Sequence, residues 1–235
     1  GTYIAHGWRA NGGTTSTNNE GSVASTVQVD PSGSFSIVKW TGTSNSWSNA
    51  ITVGHGLSKA PSLLICKKYA GNADQWEVLH THTGNGGGAT PAHNSLALNS
   101  AAALYTNQSY KGFGGVMPDA DKFTVDGNNL NGASDTVIAY CFADCEGYIK
   151  SGSYEGNGNA DGTFVYTGFR PAYILCKSVD STSDWFVFDN KRLGYNVDNN
   201  AYSLNSSAGE ITTDMIDLLS NGFKLRIATD PNVAE

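Results

Sequence analysis

The chain has few charged residues and no long hydrophobic run, and both shortages exclude classes of function. Charged residues make up 15% of the sequence, the net charge is −7, and the 14 Lys and Arg residues are scattered. Binding to nucleic acid needs clustered basic side chains, so we expect no nucleic-acid partner. No segment approaches the roughly 18–20 apolar residues of a membrane-spanning helix, so we expect no membrane insertion.

Cysteine is scarce and shows no metal-binding pattern. Cys66 and Cys176 lie in apolar runs, and Cys141 and Cys145 lie close together. The even number of cysteines allows a disulfide, but no His and Cys residues have the spacing of a zinc site. We expect free thiols that act as small buried hydrophobic groups, and no cofactor.

The first residues lack the features of a signal peptide. There is no initiator Met, no basic segment and no apolar segment before the strand-like run Thr2–Ala5. We interpret the chain as a processed product or a segment of a longer protein.

Glycine and aromatic residues, in contrast, are plentiful. The 235 residues include 28 Gly, and 11% are aromatic. Disordered chains are poor in aromatic residues, so this composition indicates a folded protein with many turns. Short alternating segments separated by Gly, Asn and Asp turns predict an all-β fold.

An internal repeat organises the sequence. Residues 61–67 (PSLLICK) match residues 171–177 (PAYILCK), and further matches follow in the same order around Trp76 and Trp185. Residues 3–8 (YIAHGW) match residues 137–142 (VIAYCF), which close the first repeat. The prediction is an all-β fold of two homologous β-sandwich-like repeats with at most one short helix each: residues 1–8 as a closing strand, 9–143 as repeat 1, and 144–235 as repeat 2 without its closing strand.

Two local predictions concern individual elements. Alternation predicts a strand near residues 148–154, in the position that residues 34–41 hold in the first repeat. The spacing of Ile211, Met215, Leu218 and Leu219 predicts a short helix near 212–219.

The second repeat resembles a known virion domain. Residues 146–158, followed by Tyr166-Thr167-Gly168-Phe169-Arg170-Pro171, resemble a repeated domain in virion proteins of marine tailed phages, and Val53–Leu57 looks like the preceding copy. The resemblance implies a β-rich, tail-fibre-like protein at a virion surface or in the extracellular space. It supplies no catalytic residues.

Candidate ligand-binding residues are few. Val78, His80 and His82 share one face of a predicted strand, and His93 could add a third metal ligand, but the second repeat has Asp189 in place of His80. We therefore favour a polar strand edge with no metal. Trp47 lies in a polar loop without a counterpart, and an isolated Trp of this kind often contacts a partner, so it is the best recognition residue.

Other motifs favour ordinary structural roles. Asp180, Asp184 and Asp189 could supply the paired acids of a glycoside hydrolase, but Asp184 and Asp189 lie on opposite strand faces. The loop 126–132 resembles a calcium loop only faintly, and we interpret it as a hairpin turn. Trp8, Trp40, Trp76 and Trp185 match aromatic positions of the other repeat, which favours the core.

The spare strand at the front and the missing strand at the back suggest how the protein works. An unpaired sheet edge invites another strand, and Tyr3, Ile4, Ala5 and Trp8 form the assembly strand. This strand could close the second repeat of its own chain or insert into another copy, or adjacent repeats of a longer chain could fill the edge. We expect a non-catalytic structural or adhesive subunit of a fibre, with copies of itself as partners. A module that binds a host-surface glycan and a polysaccharide-degrading enzyme are the alternatives.

Overall fold

The described part of the chain is nearly all β-structure, which confirms the predicted all-β class. A computed structural model describes residues 3–46, 48–70, 75–83, 93–106, 112–192, 196 and 200–234. Within these residues the elements, in chain order, are β1 (Ser16–Asn18), β2 (Ser25–Val29), β3 (Phe35–Thr41), β4 (Ile51–Gly54), β5 (Leu63–Ala70), β6 (Glu77–His80), β7 (Leu96–Ala97), β8 (Lys122–Val125), α1 (Gly127–Asn131), β9 (Thr136–Phe142), β10 (Phe164–Tyr166), β11 (Tyr173–Cys176), β12 (Phe186–Asp189), β13 (Ala201–Ser203), β14 (Ile216–Leu219) and β15 (Gly222–Leu225).

Seven strands form the largest described sheet, in the order β1-β2-β3-β9-β5-β6-β7, with antiparallel neighbours throughout. Strand β9 is central, because it pairs with β3 on one side and with β5 on the other. Val137, Ala139 and Cys141 alternate along β9 and are fully buried in the core. The β4–β8 pair adds Val53 and Phe123 to the same core, which gives the first half a sandwich-like form.

The second half contains two three-stranded sheets, β11-β12-β13 and β10-β15-β14. Their inward side chains form a separate core that includes Phe188 and Ile216. A third cluster joins the halves, because Trp185 packs with Val78 of β6. The indole Nε1 of Trp185 also donates a hydrogen bond of 3.0 Å to the carbonyl oxygen of Ala97.

The same local contacts occur in both halves. The amide of Trp76 donates to Asn99 Oδ1 at 3.0 Å, and the amide of Trp185 donates to Asn205 Oδ1 at 2.8 Å. A Cβ atom at Gly42 or at Gly156 would collide with backbone in each half, so both close approaches need glycine. Further equivalent pairs are Thr43 N to Asn131 Oδ1 with Asn157 N to Asn232 Oδ1, and the bridge Ser95–Tyr105 with the bridge Ala201–Ile211.

The helix predicted near residues 212–219 is wrong. Ile216–Leu219 is strand β14, which forms a hairpin with β15. Ile216 and Leu218 are buried and alternate with the half-buried Asp217 and Leu219, so the inward-facing side chains have a period of two. The one described helix, α1, instead occupies part of the loop 126–132, where a hairpin turn was predicted.

The predicted strand at 148–154 is also wrong. Ile149 forms an isolated bridge with Cys145, and residues 151–157 have no strand ladder to any described residue. A strand is defined by its neighbours, and this segment has none in the described part of the chain.

The prediction of free thiols is confirmed for all four cysteines, but that of burial holds only for Cys66 and Cys141, because Cys145 and Cys176 are partly exposed. Cys66 and Cys141 are fully buried, and burial raises the pKa of both. For Cys141 the pKa rises to about 12, so the group stays a neutral, hydrophobic thiol.

Candidate functional site

An open groove lies in the second half, where the first half holds its central strand. In the first half β9 fills the space between β3 and β5. The equivalent boundaries in the second half are residues 151–156 and β11, and both line one cavity of about 1870 Å³ that continues between the two halves. No described strand occupies this space. We call the space between residues 151–156 and β11 the strand groove.

One wall of the strand groove is the free edge of β11. Among the described residues β11 pairs only with β12, and Asn190 donates its amide hydrogen to the carbonyl oxygen of Ala172 at 3.2 Å. Hydrogen-bonding direction alternates along an antiparallel strand, so Ile174 and Cys176 also face β12. The backbone groups of Tyr173 and Leu175 therefore face the groove, ready to pair with a strand.

The opposite wall, residues 151–156, has no strand ladder and is held by hydrogen bonds to other segments. The hydroxyl of Tyr154 donates to the carbonyl oxygen of Pro231 at 2.9 Å, as Trp40 Nε1 donates to Leu130 O at 3.0 Å in the first half. The amide of Ser151 donates to Asp144 Oδ1 at 3.0 Å. This wall is thus fixed near both ends, while its middle remains without strand partners in the described chain.

The floor of the strand groove is less buried than its counterpart. Cys66 is fully buried beneath β9, whereas Cys176 is only partly buried. Trp40 is 2% exposed, whereas its counterpart Tyr154 is, like Cys176, only partly buried. Both residues are therefore somewhat less buried than their counterparts in the first half, and the floor they form is apolar.

The predicted assembly strand does not fill the groove of its own chain. Residues 3–8 have no strand ladder in the described structure, and we call them the N-terminal segment. Tyr3 is 93% exposed, Ala5 is exposed, and Ile4 and Trp8 are about half exposed. The prediction of a core position for Trp8 is wrong, because 44% of this residue is exposed.

The N-terminal segment lies instead against the outer face of β11, β12 and β13. His6 Nε2 is 3.5 Å from Asp189 Oδ2, and His6 Nδ1 is 3.2 Å from the hydroxyl oxygen of Tyr202. The Trp8 ring meets Tyr173 edge-on, with 5.3 Å between ring centroids. These contacts place the N-terminal segment along the same cavity, whose lining includes Tyr3, Ile4, His6 and Trp8, but without a strand ladder to β11.

Sequence reasoning missed His6, Tyr173 and Tyr202 as contact residues. The signal for part of this cluster was available, because Leu63 pairs with His80 in the first half and the equivalent Tyr173 pairs with Asp189. The arrival of His6 on that face carries no sequence signal, since it depends on how the two halves pack.

Two of the three carboxylates considered for catalysis, Asp184 and Asp189, have structural partners. Burial opposes ionisation of Asp189, but hydrogen bonds from Arg192 and the Lys191 amide outweigh it and lower the pKa of Asp189. Asp184 Oδ1 accepts a hydrogen bond of 2.8 Å from Asn205. Asp184 and Asp189 thus each brace a nearby loop.

The two predicted histidines lie close together. The ring centroids of His80 and His82 are 5.5 Å apart, and the His82 amide donates to His80 Nδ1 at 3.2 Å. Burial, reinforced by His82, lowers the pKa of His80 to about 4. Within the described residues no group of three His, Cys, Asp or Glu side chains could hold a metal ion, so His93 does not complete a site. Trp47, the predicted recognition residue, lies outside the described residues.

Comparison with known proteins identifies a family without an assigned activity. Across the described residues, no helix is long and apolar enough to cross a membrane. No match was found among the curated proteins or among the solved structures. Residues 1–234 match the model described as Domain of unknown function (DUF7483), and the chain therefore belongs to that family.

Proposed function

We propose that the protein is a non-catalytic structural and adhesive subunit of an extracellular or virion fibre, in which neighbouring units join by strand addition at the strand groove. The observation that carries this proposal is the free edge of β11 facing the unpaired segment 151–156. A strand placed between them gains partners on both sides, as β9 does in the first half. Strand addition of this kind obtains affinity from the main chain and specificity from alternate side chains.

An exposed strand edge can pair with another strand unless it is protected. Proteins protect edges with charges, prolines, bulges or covering elements. Although β11 is short and flanked by Pro171 and Lys177, the backbone of Tyr173 and Leu175 has no strand partner in the described structure, and the floor beneath it is apolar. An edge left open in this way supports a role in assembly.

The fibre assignment rests on the form of the contact and on the resemblance to phage virion proteins. The groove and a donated strand are different surfaces, so their contact is heterologous. Heterologous contacts that do not close into a ring extend into filaments. Location at a virion surface or in the extracellular space follows from the resemblance alone.

The experiment asks whether association of the chain and protection of the β11 backbone amides from exchange appear together. The chain is examined over a wide concentration range by light scattering and negative-stain microscopy, with hydrogen–deuterium exchange of the Tyr173 and Leu175 amides measured in parallel. We expect filaments or oligomers to appear together with protection of these two amides. A chain that stays monomeric with both amides exchanging rapidly at every concentration contradicts the proposal.

A second candidate function is glycan binding along the same cavity. Tyr148 and Tyr166 are 57% and 67% exposed and line it, and exposed aromatic rings stack against sugars. A glycan array with the intact protein tests this function, and Tyr166→Ala should weaken any binding found. An array without a single positive glycan contradicts it.

A further inference from the structure

We infer that the strand groove is filled by residues 3–8 of a second copy of this chain, running antiparallel to β11 with Ala5 opposite Cys176. This inference rests on the proposed function and adds to it the identity of the donor, its direction and its register. In this view residues 3–8 have two alternative positions: the groove of a second copy, and the contact with β11, β12 and β13 of their own chain.

The register follows from the pairing in the first half. There Leu63 pairs with Phe142 and Cys66 pairs with Ala139 across β5 and β9. Residues 63 and 66 correspond to Tyr173 and Cys176, and residues 142 and 139 correspond to Trp8 and Ala5. Transferring the pairing places Trp8 beside Tyr173 and Ala5 beside Cys176.

The small residues of the donor fit the floor of the groove. Ala139 and Cys141 are the fully buried small side chains that cover the core in the first half. Their counterparts in the N-terminal segment are Ala5 and Gly7. A shift of one residue would turn Ile4 and His6 toward the floor, so the alternation fixes the register.

A large side chain also has a suitable position. Tyr3 corresponds to Val137, which pairs with Trp40 in the first half. In the second half the smaller Tyr154 takes the place of Trp40 and is less buried. The groove therefore has room beside Tyr154 for a ring larger than valine.

A second copy is the donor because the copy in the same chain is bound elsewhere. In the isolated chain His6 contacts Asp189 and Tyr202, and the groove stays open. Tyr3, which gains most by burial, remains 93% exposed in that position. When the N-terminal segment moves into the groove of another copy, Tyr3 becomes buried and His6 loses its contacts with Asp189 and Tyr202.

An engineered disulfide tests donor, direction and register together. Cys176 faces β12 with its backbone, so its pair with Ala5 is of the closely spaced, non-hydrogen-bonded type. Such pairs have Cα atoms about 4.5 Å apart, within the range of disulfides. The Ala5→Cys variant, carrying Cys145→Ser to remove another partly exposed thiol, is oxidised with dissolved oxygen and copper phenanthroline, which accept the two electrons released per disulfide, and separated on non-reducing gels.

We expect disulfide-linked dimers and longer species, with the bond between positions 5 and 176 identified by mass spectrometry of the digested bands. The matched controls are the same variant with Cys176→Ser, which should form no linked species, and Ile4→Cys, whose side chain points away from the floor and should give at least tenfold less.

The outcomes separate this inference from the proposed function. A bond between positions 5 and 176 within one chain shows that the N-terminal segment closes its own groove, and this overturns the inference. Assembly with protected β11 amides but without this bond overturns the donor and register while the proposed function stands. A monomer with neither bond nor protected amides overturns both.

Discussion

Trp185 and Trp76 occupy equivalent positions, yet the structure predicts that their removal has different consequences. Trp185 is 4% exposed, packs between the halves and donates a hydrogen bond of 3.0 Å to Ala97 O. Trp76 is only partly buried, stacks on Tyr140 and lies beneath the Lys67 ammonium. The same substitution at both positions therefore measures the value of the contact between the halves.

The expected magnitudes follow from burial. Replacing a buried Trp by Ala costs about 3–5 kcal/mol, so Trp185→Ala should lower the free energy of unfolding by that amount. Trp76→Ala should cost about 1–2 kcal/mol, because water already reaches part of its ring. Trp185→Phe keeps most of the apolar contact and removes one of two hydrogen bonds to Ala97 O, which also accepts one from the Ser100 amide, so it should cost about 0.5–1.5 kcal/mol.

The assay is urea unfolding followed by circular dichroism and fluorescence. The unmodified chain should unfold in one transition, because the third cluster couples the two cores. Trp185→Ala should also separate the unfolding of the halves, which Trp76→Ala should not do. Equal losses for the two alanine variants, or a single transition in both, would refute the reasoning.

Three further predictions concern the histidines and the N-terminal segment. The pKa of His80 is lowered from 6.5 to about 4, chiefly by burial, so the free energy of unfolding should fall by up to about 3 kcal/mol as the pH falls from 6.5 to 4. Over this pH range the urea midpoint of His80→Gln should fall less steeply than that of the unmodified chain, and identical pH profiles would contradict this. Deletion of residues 1–8 should abolish assembly without changing the unfolding midpoint by more than a few degrees, as measured by light scattering and calorimetry, and assembly at the original level would contradict it. His6→Ala removes the contacts with Asp189 and Tyr202, so the Ala5→Cys variant should crosslink faster, and an unchanged or lower rate would count against the alternative position.

The sequence predicted strands correctly where the alternation of apolar residues is matched by that of the neighbouring strands. Strand β9 alternates Val137, Ala139 and Cys141 toward the core, and its neighbours β3 and β5 carry the complementary alternation. Residues 148–154 have a similar pattern but no described strand beside them, so the ladder does not form. The sequence pattern indicates which face of a segment is apolar. Strand formation also needs a partner strand, which lies far away in the sequence.

The helix error has a different physical origin. In the segment around Ile216 and Leu218, the apolar residues fit a period of 3.6 as well as a period of two. Pairing of Leu218 with Phe223 across the hairpin decides between them, because it buries both side chains in the second core. Tertiary contact thus overrides a local signal that was ambiguous.

An internal repeat provides its own reference for what is missing. Cys66 and Cys176 are matched in sequence, and so are Trp40 and Tyr154, yet within each pair the residue of the second half is less buried. Sequence comparison alone treats the members of each pair as equivalent core residues. A strand like β9 would cover both residues, so the exposure of Cys176 and Tyr154 supports the proposed site of strand addition. The N-terminal segment matches that strand in sequence and lies beside the vacant position, so the same comparison that locates the groove also indicates its occupant.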